Sequence, residues 1–374
     1  MRIRVSRLAN ETGMSMVLVS IGFMAFFAAT TLAIDVGMFM AARTQAQNSA
    51  DAAALAGATA LVYDDWNDRS PTSPAVQSAI NTGIANKVMH DDPSILTDDV
   101  TFPLDEFGRA NLVKVTVFRT VNRNNPVPTL IGPIFGMDNI DIQATATAQA
   151  APASGMTCVK PFIIPDKWTE NQDAEWLPTS TFDRYDNKGN LLPNADTYTK
   201  RGYGEADRGM RLVLRAAHGN NINPSMYYSW KMPDDVGGDF YRENIANCNN
   251  SVIPLGYKAN QEPGAMEGPT LQGLQELIDK DPNAYWDDSK KDYVSDQRPS
   301  PRVFPIPLYN PDVYQGGKET GRDADLVVSN WLGFFLVEVN GSEVYGRIFP
   351  IAGITADNGP SDETPLAFVI RLVR

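Results

Sequence analysis

An uncharged stretch near the N-terminus constrains this chain more than any other feature. It runs for 23 residues, from Thr12 to Ile34, between Glu11 and Asp35. A helix needs about 20 predominantly apolar residues to cross a hydrocarbon core about 30 Å thick. The polar side chains inside the stretch are serines and threonines, whose hydroxyls can bond to a carbonyl one turn back in the helix. The stretch therefore predicts one membrane-spanning helix.

Charge predicts the orientation of that helix. Arg2, Arg4 and Arg7 precede it, against a single acidic residue, Glu11. Because positive flanks stay on the cytoplasmic side, we expect residues 1–12 to form a cytoplasmic basic segment and the remainder to be exported. A cleaved signal peptide is the alternative, but its apolar region is usually about 7–15 residues long. The sequence that follows here, Asp-Val-Gly, is also a poor cleavage site, so we favour a retained helix.

The same helix is predicted to continue beyond the membrane. No proline interrupts residues 35–61, and alanine, the best helix former, dominates them. We therefore predict one helix from Met14 to Leu61, within a transmembrane and Ala-rich segment at 13–63. Small residues form a seam along its outer half, which either packs against a neighbouring helix or lies on the protein's own domain. The seam comprises Met38, Ala42, Ala46 (or Gln45), Ser49, Ala53 and Ala56.

The outer half of the helix carries a recognisable motif. It combines Ile-Asp-Val-Gly at 34–37, Ala-Ala-Arg-Thr-Gln-Ala-Gln-Asn at 41–48 and Ala-Asp-Ala-Ala-Ala-Leu-Ala-Gly-Ala at 50–58. This pattern resembles the N-terminal helix of TadG-like proteins of the bacterial Flp (tight adherence, Tad) pilus assembly system, over roughly residues 13–60. The residues that make the resemblance specific are Asp35, Gly37, Gln47, Asp51 and Gly57.

Two departures limit what the resemblance implies. Type IV prepilins and TadE-like pseudopilins carry a glutamate five residues after their processing glycine, whereas Leu18 stands five residues after Gly13 here. We therefore do not expect prepilin-peptidase processing. Many TadG proteins also carry a von Willebrand factor A domain with an Asp-x-Ser-x-Ser metal site, and the sequence has no such run. The metal-dependent adhesion of that domain is therefore not implied.

Asp35 stands where the apolar stretch ends, and two roles are open for it. It is either a solvated carboxylate at the membrane interface or the partner of a cation on a neighbouring helix.

Composition narrows the classes of function. The sequence pI near 4.7 and the net charge of −13 argue against a nucleic-acid partner, because phosphate binding needs a basic face. Two histidines in the whole chain make a His-rich metal site or a Ser-His-Asp enzyme improbable. Cys158 and Cys248 lie in the part expected to be exported, where an oxidising compartment favours a disulfide between them. Two free thiols are the alternative.

The rest of the chain predicts an α+β protein: the long N-terminal transmembrane helix, a small α+β domain, then a mainly β C-terminal domain. Residues 64–150 give the order helix, strand, strand, short helix, strand. A small-residue linker is expected at 151–157, and an exported mainly β domain at 158–374. Within it Val303–Leu308 is predicted as an edge strand because it contains prolines. Asn340-Gly341 predicts a hairpin turn, and a closing strand is expected at Ala367–Val373.

No catalytic motif is present, and we expect no enzyme activity, cofactor or metal. Several residues are weaker candidates for calcium binding, acid-base chemistry or an aromatic binding face. For each of them we favour an ordinary structural role in a turn, on the solvated surface or in the core. They are the acidic loop with Asp64, Asp65 and Asp68, the turn at Asp186 and Asn190, His218, the pairs Asp234-Asp235 and Asp287-Asp288, and the aromatic run Tyr227, Tyr228 and Trp230.

The resemblance implies a structural or adhesion component of Flp (Tad) pilus biogenesis, anchored in the bacterial inner membrane with its body in the periplasm or at the cell surface. Its partners would be the lipid bilayer and other Tad/Flp components. One alternative is a pilin-like subunit that forms filaments by self-association through the N-terminal helix. The other is a membrane-anchored surface enzyme.

Overall fold

The computed structural model describes residues 12–171, 174–186, 188–199, 202–217, 221–233, 237–262, 264–319, 325–356 and 366–373. The chain divides into two compact units. Unit 1 comprises Met1–Gln149 with Leu372–Arg374, and unit 2 comprises Ala150–Arg371. Unit 1 is built around a long helix and unit 2 around β-sheet, so the predicted fold class is confirmed.

The N-terminal helix, α1, is continuous from Thr12 to Tyr63. Its 52 residues span about 78 Å at a rise of 1.5 Å per residue. The prediction of one helix from Met14 to Leu61 is confirmed, with two further residues at each end. Alanine-rich sequence without proline explains why nothing breaks the helix where its surroundings change.

Unit 1 completes its fold with one more helix and a small sheet. Ser73 caps the second helix by accepting a hydrogen bond from the Val76 N–H at 3.3 Å, and Pro74 occupies the first turn. Strands β1, β2 and β5 pair antiparallel in that order, and β3 and β4 form a separate hairpin. The predicted order of helix, strand, strand, short helix and strand is confirmed, with a 3-10 helix at Gly132–Phe135 as the short helix and with two further short strands, β3 and β4, on either side of it. The elements are α2 (Pro74–Ala85), β1 (Val100–Thr101), β2 (Leu112–Arg119), β3 (Val127–Pro128), β4 (Asn139–Ile140) and β5 (Ile142–Pro152).

The segment at 151–157, expected to be a linker, is packed instead. Its first two residues complete β5, and Gly155 and Met156 form a short strand. Ala151, Ala153 and Ser154 are buried. Small side chains here do not signal flexibility. They let two backbone segments approach closely, because a Cβ on Gly155 would lie only 3.0 Å from the Cβ of Ala356.

Unit 2 is mainly β, as predicted, and its described residues include three α-helices. Its elements are β6 (Gly155–Met156), β7 (Phe162–Pro165), β8 (Arg211–Ala216), β9 (Met226–Ser229), α3 (Gly238–Ala246), β10 (Ile253–Pro254), β11 (Lys258–Ala259), α4 (Glu267–Lys280), β12 (Tyr285–Asp287), β13 (Asp292–Val294), β14 (Val303–Tyr309), α5 (Pro311–Glu319), β15 (Leu326–Asn340), β16 (Glu343–Phe349), β17 (Ile351–Ala352) and β18 (Ala367–Val373).

Six strands of unit 2 close into a barrel. The order is β15, β14, β7, β9, β8 and β16, and β16 pairs back onto β15. Alternate residues of these strands point inward and form a buried apolar core with α3 and α4. Gly346 leaves room for a ring, since a Cβ there would lie 2.1 Å from Phe334. The core includes Phe162, Ile164, Leu212, Leu214, Phe304, Ile306, Leu308, Leu332, Leu336, Val344 and Ile348.

The prediction that the proline-containing strand lies at a sheet edge is wrong. β14 lies between β15 and β7. It pairs with β7 only at Leu308 and Tyr309, beyond both Pro305 and Pro307. The prolines therefore interrupt no ladder hydrogen bond on that side. The hairpin at Asn340-Gly341 is confirmed as the β15–β16 connection, and the closing strand is confirmed as β18.

Candidate functional site along the N-terminal helix

The inner half of α1, residues 14–34, presents apolar side chains in all directions. Every residue in it is exposed except Thr31, which is half-buried. The hydroxyls return to the helix, with Ser20 donating to the Met16 carbonyl and Thr30 to the Phe26 carbonyl, each at 2.8 Å. Within the described ranges, α1 alone is long and apolar enough to cross a membrane, with a mean hydropathy of 2.2 in its most apolar window.

Asp35 terminates this exposed surface without exposing its charge. The residue is only 4% exposed. Its carboxylate accepts hydrogen bonds from the backbone N–H groups of Leu130 at 2.8 Å and Ile131 at 2.9 Å. Neither role considered from the sequence fits, because Asp35 is not solvated and its partners are backbone amides rather than a cation. It fastens the loop between β3 and β4 to α1.

The outer half of α1 is buried by its own unit. Ala42, Ala46, Ser49 and Ala53 are fully buried. The Ser49 hydroxyl donates to the Gly83 carbonyl of α2 at 2.8 Å. Of the two possibilities for the small-residue seam, the structure therefore has the one in which the helix lies on its own domain.

Close approach explains why the seam residues are small. A Cβ added to Gly57 would lie 2.9 Å from Val113 on β2 and 3.1 Å from the Cβ of Ala79 on α2. A Cβ on Gly83 would lie 3.1 Å from the Cβ of Ala53. Such distances leave no room for a larger side chain, because α2 and the Val113 side chain of β2 pack directly against α1.

The remaining motif residues differ in what they contact. The Gln47 amide donates to the Asp51 carboxylate at 2.8 Å and to the Thr145 carbonyl of β5 at 3.3 Å, which joins the helix to the sheet of unit 1. A Cβ on Gly37 would meet nothing within 4 Å. The structure gives no packing reason for that glycine.

In unit 2, Cys158 and Cys248 form the disulfide expected from the sequence. Lys160 lies two residues beyond it and is buried, and its ammonium donates to the Ile245 and Asn247 carbonyls at the C-terminal end of α3. A cation there complements the helix dipole. Burial, and then the positive charge of Lys280, lowers the pKa of Lys160 to about 7. The segment between the disulfide and β7 is therefore fastened to α3.

A second buried charge lies at the end of β7. Asp166 is fully buried and accepts hydrogen bonds from the Tyr198 hydroxyl at 2.8 Å and the Lys167 N–H at 2.9 Å. Burial raises the pKa of Asp166 to about 7, although these hydrogen bonds act to lower it. Gly202 makes room for the carboxylate, since a Cβ there would lie 2.5 Å from it.

The weaker candidates lie in turns and in the core. Asp65 accepts from the Asn67 and Asp68 N–H groups, which is ordinary turn stabilisation. Asp186 accepts from the Lys188 and Asn190 N–H groups in the same way.

The aromatic run belongs to the interior, since Tyr227 and Trp230 are buried. Of the other acidic residues, Asp287 bonds to Ser289 within a turn and Asp288 pairs with Arg347 at 3.1 Å. His218 and the pair Asp234-Asp235 lie outside the described residues. No cluster of three potential metal ligands occurs among the residues that the structure describes.

Sequence reasoning missed several of these interactions. The amides of Leu130 and Ile131 lie 95 and 96 residues from Asp35, and backbone donors leave no mark in a sequence. Lys160 and Asp166 carried no signal either, because a single charge beside an apolar strand looks like a surface residue. The exposed apolar half of α1 is suited to anchoring the protein, and the packed outer half is suited to holding unit 1 rigidly on the same helix.

The comparisons with known proteins agree with this geometry at the N-terminal helix. Residues 13–60 match the model of the Tad family, described as Flp pilus-assembly TadE/G-like. No curated protein and no solved structure matches the chain. The match supports involvement in Flp (Tad) pilus assembly. Over residues 13–60 the chain is thus similar to the Flp pilus-assembly TadE/G-like family, and the resemblance in its sequence is confirmed.

Proposed function

We propose that the protein is a structural or adhesion component of Flp (Tad) pilus biogenesis, held in the bacterial inner membrane by the inner half of α1, with a non-catalytic body exported to the periplasm or cell surface. One observation carries the proposal. The family match at 13–60 coincides with a helix whose first part is apolar and exposed and whose second part is the core of a folded unit.

Continuity of α1 gives the proposal a mechanical basis. The helix has no break between the apolar span and the buried seam. A force on unit 1 therefore reaches the membrane through one rigid element rather than through a linker. The contacts of Gln47 with β5 and of Ser49 with α2 distribute that force over the unit.

Charge and redox chemistry support the proposed orientation. The arginines at positions 2, 4 and 7 favour a cytoplasmic N-terminus. The disulfide between Cys158 and Cys248 suits an oxidising compartment on the other side of the membrane. Both features point to export of everything beyond the span.

Self-association through the small-residue seam has less support. The seam is covered by α2 and β2 of the same unit, as the close approaches at Gly57 and Gly83 indicate. A filament built on α1 would need another face of the helix.

The test is complementation of a strain that lacks the gene. We expect loss of Flp pili, or of adherence through them, and restoration by the full chain. A matched variant has residues 13–34 replaced by a cleavable signal peptide, so that the body is exported but not anchored. We expect this variant to accumulate and to fail.

The control and the contradicting outcomes are distinct. Protease treatment of spheroplasts should remove a C-terminal epitope and leave a short N-terminal fragment. Unchanged piliation and adherence in the deletion strain would contradict a role in this system. Full rescue by the unanchored body would contradict the anchoring role alone.

A further inference from the structure

The loop between β3 and β4, residues 129–138, exposes a cluster of large apolar side chains. Leu130 is 59% exposed, Ile134 80% and Met137 62%. The only charged residue of the loop, Asp138, stands at its end, next to β4. Large apolar side chains that are exposed together in one short loop mark a contact with another apolar surface.

The position of this loop along α1 is fixed. Asp35 accepts hydrogen bonds from the Leu130 and Ile131 N–H groups, so the loop lies at the level where the uncharged stretch ends. Thr31 lies one turn earlier on the same face and is the half-buried residue of the inner half. This burial indicates that the covered face of α1 continues one turn past Asp35 into the apolar span.

The length of the apolar span sets the depth of the loop relative to the bilayer. The 23 residues from Thr12 to Ile34 cover about 34 Å as a helix, which matches a hydrocarbon core of about 30 Å. When the span crosses the bilayer, Asp35 and the 129–138 loop lie at its outer boundary. The Asp35 carboxylate is not exposed there, because it is buried against the loop.

The loop is built to enter an apolar environment. The Thr129 hydroxyl donates to the Met137 carbonyl at 2.6 Å, and the Met137 N–H donates to the Gly132 carbonyl at 2.8 Å. The Ile134 N–H donates to the Ile131 carbonyl at 2.9 Å. Backbone groups satisfied inside the loop lower the cost of leaving water.

The neighbouring surface continues the apolar band towards the headgroups. A groove of about 460 Å³ lies one turn further along α1, lined by Val36, Met40, Arg43, Ile140 and Ile142 among others. Arg43 is the first basic residue after the span. A long cationic side chain above an apolar band is typical of the membrane interface.

We propose that the 129–138 loop is a second membrane contact, which inserts Leu130, Ile134 and Met137 into the interfacial layer of the outer face of the bilayer. The proposal rests on the anchoring proposed above. A single helix leaves a protein free to rotate about the helix axis and to tilt, and interfacial anchors restrict both motions. The loop would hold unit 1 in one orientation on the membrane.

The test uses the full chain in vesicles of phosphatidylcholine and phosphatidylglycerol. Ile134→Cys and Met137→Cys are each labelled with an environment-sensitive fluorophore, while the native cysteines remain in their disulfide. We expect a blue-shifted emission, strong quenching by lipids with nitroxides at the headgroup or shallow acyl positions, and iodide quenching several-fold weaker than at a soluble site.

Leu104→Cys is the matched control. Leu104 is 62% exposed and belongs to a loop near the far end of α1, where Arg69 donates to the Ala110 carbonyl. Tyr63 lies 28 residues beyond Asp35, which places that end about 42 Å from Asp35 along the helix. The label at 104 should show full iodide quenching and no lipid quenching.

A third label separates the two proposals. Met24→Cys lies in the middle of the span, and deep lipid quenching there reports that α1 is inserted. Lipid quenching at 24 with labels at 134 and 137 as water-exposed as the label at 104 would overturn the loop proposal alone. Absence of lipid quenching at 24 would overturn the anchoring. Shielding of 134 only after addition of other pilus proteins would assign the loop to a protein contact and also overturn the proposal.

Discussion

The two halves of α1 form one continuous helix, but only the outer half is buried against the rest of unit 1. Between Met14 and Ile34 the large apolar side chains are all exposed, whereas Ala42, Ala46 and Ala53 in the outer half are small and fully buried. Size therefore distinguishes the exposed apolar side chains of the inner half from these buried ones. Large side chains fit a fluid lipid environment, and alanine and glycine allow α2 and β2 to approach the helix closely.

Under the proposed anchoring, the difference between the two halves indicates where the membrane boundary would lie. Asp35 stands at the transition, and its buried carboxylate belongs to the outer half, since it holds the loop between β3 and β4. Substitutions in the two halves should therefore affect different properties of the protein. Changes in the inner half should affect insertion, and changes in the outer half should affect folding of unit 1.

The largest expected effect is the pH dependence of the stability of unit 2, which comes from Asp166 and serves as a reference for the variants in α1. Burial raises its folded-state pKa from 3.8 to about 7. Asp166 therefore contributes stability below about pH 4 that is lost as the pH rises to 7, by up to about 4 kcal/mol. Five of the six tryptophans lie in unit 2, so tryptophan fluorescence in denaturant titrations reports its unfolding. Asp166→Asn should flatten this pH dependence, and an unchanged slope would contradict the assignment.

A charge in the inner half should block insertion. Phe23 is 60% exposed, and Phe23→Lys should cost about 3–4 kcal/mol of insertion free energy at the middle of a span. The measurement is the fraction of protein that resists alkaline extraction from membranes. Phe23→Leu is the control and should behave as the wild type. Equal extraction of the lysine variant and the wild type would mean that this half does not contact lipid.

Removal of the Asp35 carboxylate should weaken the attachment of the loop between β3 and β4 to α1. Asp35→Ala leaves the Leu130 and Ile131 N–H groups without their acceptor, which should destabilise unit 1 by about 2–3 kcal/mol. Hydrogen exchange should accelerate at these two amides. Asp51→Ala is the control, because Asp51 bonds only to Gln47 among the contacts described above. Unchanged exchange at residues 130 and 131 would show that the carboxylate does not hold the loop.

A larger side chain should be tolerated in one half and not in the other. Gly57→Leu meets Val113 and Ala79 at once and should destabilise unit 1 by about 1–3 kcal/mol. A Cβ added to Gly22 in the inner half, or to the exposed Gly37 just beyond Asp35, would meet nothing within 4 Å. Gly22→Leu and Gly37→Leu should therefore be neutral or slightly stabilising, since leucine favours helix over glycine. Circular dichroism melts of the full chain in detergent compare the three variants. Equal melting temperatures would contradict the close packing of the outer half.

The smallest expected effect compares two serines. Ser49→Ala removes a buried hydrogen bond to α2 and should destabilise unit 1 by about 1 kcal/mol. Ser20→Ala removes a hydroxyl that bonds only to its own helix and should change little. The same melts serve as the measurement, and a reversed order of the two variants would argue against the boundary at Asp35.

Much of this architecture could be predicted from the sequence where local patterns decide it. The continuous helix, the strands of unit 1, the hairpin at Asn340-Gly341 and the closing strand all follow from periodicity, turn residues and absence of proline. The closure of the barrel could not be predicted, because it depends on pairing between β8 and β16, which lie far apart in the chain. The position of Pro305 and Pro307 in an interior strand depends equally on which residues β7 reaches.

The sequence motif proposes the residues of the candidate site, but their contacts could not be predicted from it. The motif identified Asp35, Gln47 and Gly57, and the structure assigns each a contact within unit 1. The partner of Asp35 is a pair of backbone amides from a distant loop, and a sequence carries no signal for them. The seam of small residues fitted two arrangements equally, because close packing demands small side chains whether the partner is a second molecule or α2.

The most direct test of the central claim is a spin-label accessibility scan along α1 in lipid vesicles, one position at a time from 14 to 62. The account predicts uniform accessibility to oxygen and exclusion of a water-soluble relaxant from 14 to 34, then a helical periodicity beyond Asp35 with minima at 42, 46, 49 and 53. A water-accessible label within 18–30, or uniform accessibility from 42 to 62, would contradict it.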